Sequence, residues 1–253
     1  MRIDAAEAAL RLRTIADIHE DLRGGPVRMI INGRHRKPTG RYSSIKAGRA
    51  LPWEDRAERM FFWLCEADTA VARYLAQPHG LEMKVVGRAR PLLYYPDIRR
   101  DMADGRVEIR EIKSRAARTD LRDPDYELKL DLASEVYARL GWDFAVLHQA
   151  DDIERPRQRF ATAQEIQRRR RVRVDTRDRF ALIETIEREG GEAPLGVVVD
   201  ALGGEPLGRA KTYAAVVRRI VHVPLDRRLA ADTPVSLVVG GLDAPRAGLR
   251  RRG

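Results

Sequence analysis

The chain opens on an apolar stripe at helical spacing. Leu12, Ile15, Ile18 and Leu22 recur at intervals of three and four, which predicts a helix over residues 1–22 that Gly24-Gly25 ends. Residues 26–50 predict a short apolar strand and then a basic arm rich in Gly, Ser and Arg. From Pro52 to Leu75 the period is again helical. Trp53, Ala57, Phe61 and Leu64 fall on one face, and Asp68 opens a second helix that Gln77-Pro78-His79-Gly80 breaks. Three strand-like runs follow at 81–86, 91–98 and 106–113, then a helix over 125–140 and a fully buried strand at 142–148. This order predicts an α/β fold, a mixed sheet flanked by helices, with its core domain over 51–155 behind an N-terminal helix and basic arm (1–50).

Residues 155–179 hold ten Arg and only three acids, including the run Arg168 to Arg171, and predict an Arg-rich hinge over 156–177. Beyond it, helical patterns at 178–189, 194–202 and 208–221 precede two short β-prone runs at 221–225 and 235–239. Three helices and a hairpin over 178–242 predict a small winged-helix-like domain. The basic tail 243–253 is expected to be disordered. No internal repeat is present.

Composition narrows the class. The 253 residues suit one large or two modest domains with a real core. A single cysteine excludes an internal disulfide framework and a cysteine-based zinc site. No apolar run reaches the ~18–20 residues a membrane span needs. Acids throughout the first 25 residues leave no signal-peptide core, so a cytoplasmic protein is expected. Lys plus Arg is 48 against 38 Asp plus Glu, a formal charge of +10, and only six of the 48 are Lys. That surplus points to a polyanion, most often nucleic acid, although an Arg-rich composition gives the same balance.

The chemistry gathers at Tyr95-Pro96-Asp97 and Glu111-Ile112-Lys113. In a strand, residues i and i+2 share a face, so Glu111 and Lys113 point the same way, Val107 and Ile109 continue that face, and Ile112 points opposite. Two acids and a lysine at strand ends suit hard oxygen ligation of Mg2+, which neutralises phosphate charge and lowers the pKa of a bound water. A lysine beside it orients that water or stabilises charge. In a chain that prefers Arg, a lysine marks a place where a compact ammonium serves and a forked guanidinium does not. The plain alternative is a surface hairpin with alternating charges.

The neighbours weigh against that alternative. They run in order Tyr42-Ser43-Ser44-Ile45-Lys46-Ala47-Gly48-Arg49, Trp53-Glu54, Glu58-Arg59, Phe62, Asp68, Val71, Tyr74 and Gln77-Pro78. Gly141-Trp142 and Phe144 follow the motif. Over residues 40–150 this series resembles the N-terminal nuclease domain of the TnsA transposon-end endonucleases, members of the restriction-endonuclease-like superfamily with the PD-(D/E)-x-K motif. The resemblance implies a restriction-endonuclease-like sheet. It implies Asp97 and Glu111 as metal-binding acids, Lys113 as the catalytic lysine and Glu58 as an extra metal-linked acid. The ordinary reading of Glu58 is an exposed helix acid paired with Arg56 or Arg59.

The resemblance further implies Mg2+ as cofactor, with Mn2+ as a substitute, and DNA as substrate. A partner transposase and a transposition ATPase follow from it, as does a place at the bacterial nucleoid. A stand-alone restriction or repair-type nuclease and a catalytically silent DNA-binding adaptor are the alternatives. Ser44, Lys46 and Arg49 are candidate phosphate contacts or ties of the arm to the core. Arg168 and Arg169 are candidates on the hinge, and Arg209 and Lys211 on the third helix of the C-terminal unit, whose core face is Tyr213, Val216, Val217 and Ile220. That helix is also the candidate docking surface for the partner ATPase. Gln77 reads as a turn-orienting residue, His79 as a turn histidine and Cys65 as a small core residue. Asp151-Asp152 are candidate caps of the next helix.

Overall fold

The computed structural model describes residues 15–28, 38–114, 123–155 and 157–239. The chain divides into two compact units, one of residues 1–61 with 73–153 and one of 62–72 with 154–253. No helix among the described residues is long and apolar enough to cross a membrane.

The first unit is mixed α/β. Strand β1 (Ile15–Glu20) pairs antiparallel with β5 (His79–Lys84), which pairs with β6 (Leu92–Tyr94). β2 (Gly40–Ser44) and β3 (Arg49–Trp53) form a hairpin. A four-stranded sheet runs in the order β4 (Val71–Ala76), β7 (Ile98–Met102), β8 (Val107–Lys113), β9 (Asp143–His148). β7 is antiparallel to β8, and β8 is parallel to β9. Parallel neighbours need a crossover, which helix α2 (Tyr126–Arg139) supplies. Leu81, Met83, Tyr94, Ile109, Ala133 and Tyr137 from β5, β6, β8 and α2 form one buried core. Helix α1 (Arg56–Ala67) starts in this unit, with Asp55 Oδ1 accepting the Ala57 N–H at 2.9 Å.

Several expectations are corrected here. The predicted N-terminal helix is a strand from residue 15. Ala16 and Ile18 pack on the core while Asp17 and His19 face out, so a two-residue period decides over the three-and-four spacing, and Leu22 is left fully exposed. The predicted apolar strand after residue 26 lies mostly outside the described residues, as does most of the first helix. The long helix to Leu75 ends at Ala67. Asp68 does not open a helix but a turn, its Oδ1 accepting the Ala70 N–H at 2.9 Å, and β4 follows with Val71, Tyr74 and Ala76 buried.

The run 91–98 is two strands in different sheets, divided at Tyr95-Pro96-Asp97, where Pro96 has no N–H to give a ladder. β9 is an edge strand and only half-buried. Asp151 and Asp152 do not cap a helix start but lie in a π-helical turn (Gln149–Ile153), where Asp152 Oδ2 accepts the His148 N–H at 2.6 Å.

In the second unit the expected hinge is largely helix. α3 (Arg157–Arg168) buries Thr162, Ala163, Ile166 and Gln167, a narrow stripe that ten Arg obscure in the sequence. α4 (Thr176–Arg188) starts with a capping box between Asp175 and Asp178. β10 (Glu192–Pro194), α5 (Leu195–Ala201), α6 (Leu207–Val217), β11 (Val221–His222) and β12 (Pro234–Leu237) follow. The strands form one antiparallel sheet in the order β10-β12-β11. The predicted core face of α6 is buried, and so are Gly208, Thr212, Ala214 and Ala215. Cys65 is buried in α1. The predicted disordered tail lies outside the described residues.

Candidate active site

Three short segments of the first unit bring acids together. Glu58 stands in the first turn of α1 and Asp97 in the bend between β6 and β7. Glu111 and Lys113 lie at the end of β8, where the face that buries Ile109 passes to polar groups. The strand period that aims Ile109 into the core aims Glu111 beside it, 7% exposed.

Each acid is held. The Ile112 N–H donates to Asp97 Oδ2 at 2.7 Å, which fastens the bend to β8. Tyr94 Oη donates to Glu111 Oε2 at 2.7 Å, and Tyr126 Oη donates to Glu111 Oε1. Lys113 Nζ donates to Tyr126 Oη and lies 3.5 Å from Glu111 Oε1. Glu58 Oε2 accepts the Glu54 N–H at 2.9 Å. Glu58 makes no ion pair with a described residue, so the ordinary pairing with Arg56 or Arg59 is absent, and the Arg59 guanidinium lies over the Trp53 ring instead.

The acids feel one another. Burial raises Asp97 well above the usual carboxylate range, and the Glu111 and Glu58 charges add to it. Burial pushes Glu58 up to about 8, with Glu54, Asp55 and Glu111 adding repulsion. Burial raises Glu111 as well, opposed by the Tyr94 hydrogen bond and the Lys113 charge. Three oxygen acids that resist sharing negative charge fit a hard divalent cation, whose charge would relieve all three at once. Yet no group of three or more His, Cys, Asp or Glu among the described residues is gathered as a ready ligand cage. Tyr94 and Tyr126 hold both Glu111 oxygens, and backbone N–H groups hold one oxygen each of Asp97 and Glu58, so ligation by Glu111 requires a tyrosine bond to be exchanged.

Gln77 has a larger part than turn-making. It sits at φ +44°, in the left-handed region, at the β4–β5 junction. Its backbone N–H donates to the Asp97 carbonyl at 2.7 Å and its Nε2 to Glu54 Oε1 at 2.5 Å. Its Oε1 is buried and unpartnered. His79 is no turn residue. It opens β5 fully buried, with Nε2 2.7 Å from Tyr137 Oη, and burial lowers its pKa to about 4.

Tyr94 and Tyr126 were not singled out by sequence reasoning, Glu54 entered only as part of the resemblance series, and His79 was read as a turn residue. Tyr94 had a signal, since it shares the inward face of its strand with Leu92 directly before the Pro-Asp bend. Tyr126 had none, because only the fold brings the first turn of α2 against β8.

The motif Ser44-x-Lys46-x-Gly48-Arg49 is the β2–β3 turn. Ser44 Oγ accepts the Ala47 N–H at 3.0 Å, Gly48 takes φ +65°, and Arg49 Nη2 reaches the Arg23 carbonyl at 3.4 Å. Lys46 is half-buried in that turn. In the second unit Arg168 and Arg169 are exposed at the end of α3. Arg209 Nε pairs with Glu205 at 2.5 Å and its Nη1 meets Tyr213 Oη at 3.2 Å, while Lys211 Nζ pairs with Asp178 at 2.6 Å. The structure thus brings Glu58, Asp97, Glu111 and Lys113 together and places the other candidates elsewhere. No family model matches the chain, and no curated protein matches it closely enough to count as a relative.

Proposed function

We propose that the protein is a metal-dependent DNA endonuclease of the restriction-endonuclease-like type, acting at transposon ends as a TnsA-like subunit. One observation carries the reading. Glu58, Asp97 and Glu111 converge from a helix, a bend and a strand end, burial raises all three above the usual carboxylate range, the Glu111 charge adds to the rise at Asp97 and Glu58, and Lys113 lies beside Glu111. The mixed sheet that supplies Asp97, Glu111 and Lys113 from adjoining elements supports the fold reading. In the second unit, the order α4, β10, α5, α6, β11, β12 supports a winged-helix-like fold.

Asp97, Glu111 and Glu58 would hold a divalent cation such as Mg2+ or Mn2+. Bound there, the cation neutralises phosphate charge and makes water nucleophilic. Tyr94 keeps Glu111 oriented from the core side. Lys113 Nζ donates hydrogen bonds, first to Tyr126 and in the loaded site to the attacking water or a phosphate oxygen. Water adds to phosphorus, the bond from phosphorus to the 3′-oxygen breaks, and that oxygen leaves with a proton. The products are a 5′-phosphate and a 3′-hydroxyl. A transposase and an ATPase are the proposed partners.

Supercoiled-plasmid nicking by wild type and Lys113→Ala, in Mg2+, Mn2+ or EDTA, tests the reading. Metal-dependent nicking that Lys113→Ala loses supports the nuclease reading and favours a stand-alone enzyme over a TnsA-like subunit. No nicking, even with a transposase and ATPase added, overturns it in favour of a DNA-binding adaptor.

A further inference from the structure

The cations of the second unit divide into two populations. Those of α6 and of the two residues that follow it are spent internally. Arg209 and Lys211 pair with Glu205 and Asp178, Arg218 Nη1 donates to the Arg170 and Ala214 carbonyls, and Arg219 Nε donates to the Thr69 carbonyl. Seven of the eleven α6 residues are buried, so most of this helix is the core of its unit, and at its first turn, where Leu207 is exposed, the half-buried Arg209 and Lys211 are held by acids. The junction of α3 and α4 is the opposite case. Arg168, Arg169, Arg171, Arg173, Arg177 and Arg179 are all exposed, and none makes an ion pair with a described residue.

The acids of that stretch are committed elsewhere. Asp175 caps α4 by accepting the Asp178 N–H at 2.9 Å, and Asp178 pairs with Lys211. A helix C-terminus favours a cation in its last turn, which accounts for Arg168 but not for the five beyond it. Guanidinium forks match phosphate oxygens, and a run of them along a helix end, a turn and a helix start follows a backbone of regularly spaced charges.

We propose that the α3–α4 junction is a docking ridge for the phosphate backbone of duplex DNA, and that α6 is not a recognition helix. The choice of DNA among polyanions rests on the nuclease reading above. Binding at the ridge follows charge and carries no base sequence.

The test is fluorescence anisotropy of the full chain with a labelled duplex of about 30 base pairs, in EDTA, over a series of salt concentrations. The ridge variants are Arg168→Gln/Arg169→Gln and Arg171→Gln/Arg173→Gln. The control, Arg227→Gln/Arg228→Gln, removes the same charge from exposed positions of the same unit. Each ridge pair is expected to lower the slope of log affinity against log salt by about 2, and the control pair by less than about 1. Affinity at low salt falls at least about tenfold for the ridge pairs alone. Equal effects of ridge and control pairs, no effect of either, or tighter ridge-dependent binding of duplex RNA overturns the proposal. Because EDTA removes cleavage from the readout, these outcomes are separate from those of plasmid nicking, where wild type fails only if the nuclease reading fails.

Discussion

The backbone N–H of Gln77 donates to the carbonyl of Asp97 at 2.7 Å. The same residue reaches Glu54 through its side chain, and the Glu54 N–H in turn holds Glu58. One turn residue therefore ties the acid of the bend to the acid of the helix. Gln77→Ala removes the side-chain arm and is expected to weaken Mn2+ binding about tenfold or more, the usual scale for a group that orients a metal ligand. Gln77→Glu sets a second carboxylate against Glu54 and is expected to be worse than alanine. Calorimetric titration with Mn2+ measures both. Unchanged affinity in both variants would make Gln77 a turn former only.

Tyr126 Oη bridges Lys113 and Glu111, whereas Tyr94 Oη serves Glu111 from within the core. Their phenylalanine variants should differ. Tyr94→Phe takes a donor from a buried carboxyl and is expected to cost about 1–3 kcal/mol of stability by urea unfolding. Tyr126→Phe frees the amine from its partner at a half-buried position. It is expected to change stability by less than about 1 kcal/mol while slowing nicking about tenfold. Equal stability losses would contradict the division of labour.

Stability against pH should carry two opposing signatures. Glu58, raised from 4.5 to about 8, keeps a proton in the folded protein that the unfolded chain gives up, so its contribution is lost as pH rises through that window. Asp97 and Glu111 act in the same direction. His79, lowered from 6.5 to about 4, binds its proton more readily when unfolded, so its contribution is lost as pH falls from 6.5 to 4. The fully buried imidazole corresponds to about 3 kcal/mol over that range.

Above pH 6.5 only the carboxyl effect remains. In EDTA the melting temperature is expected to fall between pH 6.5 and 8, and Glu58→Gln or added Mg2+ should flatten the fall. His79→Gln should flatten the acid limb alone. A melting temperature that rises from pH 6.5 to 8 would contradict the carboxyl account.

The back of β8 carries an ion network. Glu108, its side chain 6% exposed, pairs with Arg100 and with Arg110 at 3.1 Å, and Arg110 also reaches Asp143. Glu108→Ala leaves buried guanidinium groups short of an anion and is expected to cost about 3–5 kcal/mol by urea unfolding. The salt bridges of the exposed hairpin loop, such as Arg106 with Asp104, should change little when removed.

The legible part of the fold was the part with a clean period. The β8 strand, helix α2 and the three helices from α4 onward stand within a few residues of their predicted places, because their apolar positions repeat without competition. Ile15, Ile18 and Leu22 misled, since a short strand followed by an exposed turn mimics helical spacing. The stretch after Asp68 misled because Val71 and Tyr74 continue the α1 face in sequence although a carboxylate-capped turn separates them.

The acids of the site were legible from strand alternation and from the resemblance, but their holders were not. Tyr126 and Gln77 act across elements far apart in the chain, and pairwise reading along one chain has no access to that. The opposite burial of α6 and exposure of the α3–α4 arginines was hidden for a related reason. Identical residue types carry no mark of whether an acid waits for them in the fold.

The most direct measurement is Mn2+ binding by calorimetry and electron paramagnetic resonance for wild type, Asp97→Asn and Glu111→Gln, because a cation site needs no partner to fill it. The account predicts saturable Mn2+ binding by wild type, competed by Mg2+, with at least a tenfold loss of affinity in each variant. Wild type that binds no Mn2+, or variants that bind it as well as wild type, would contradict the claim that Glu58, Asp97 and Glu111 form a metal-dependent active site.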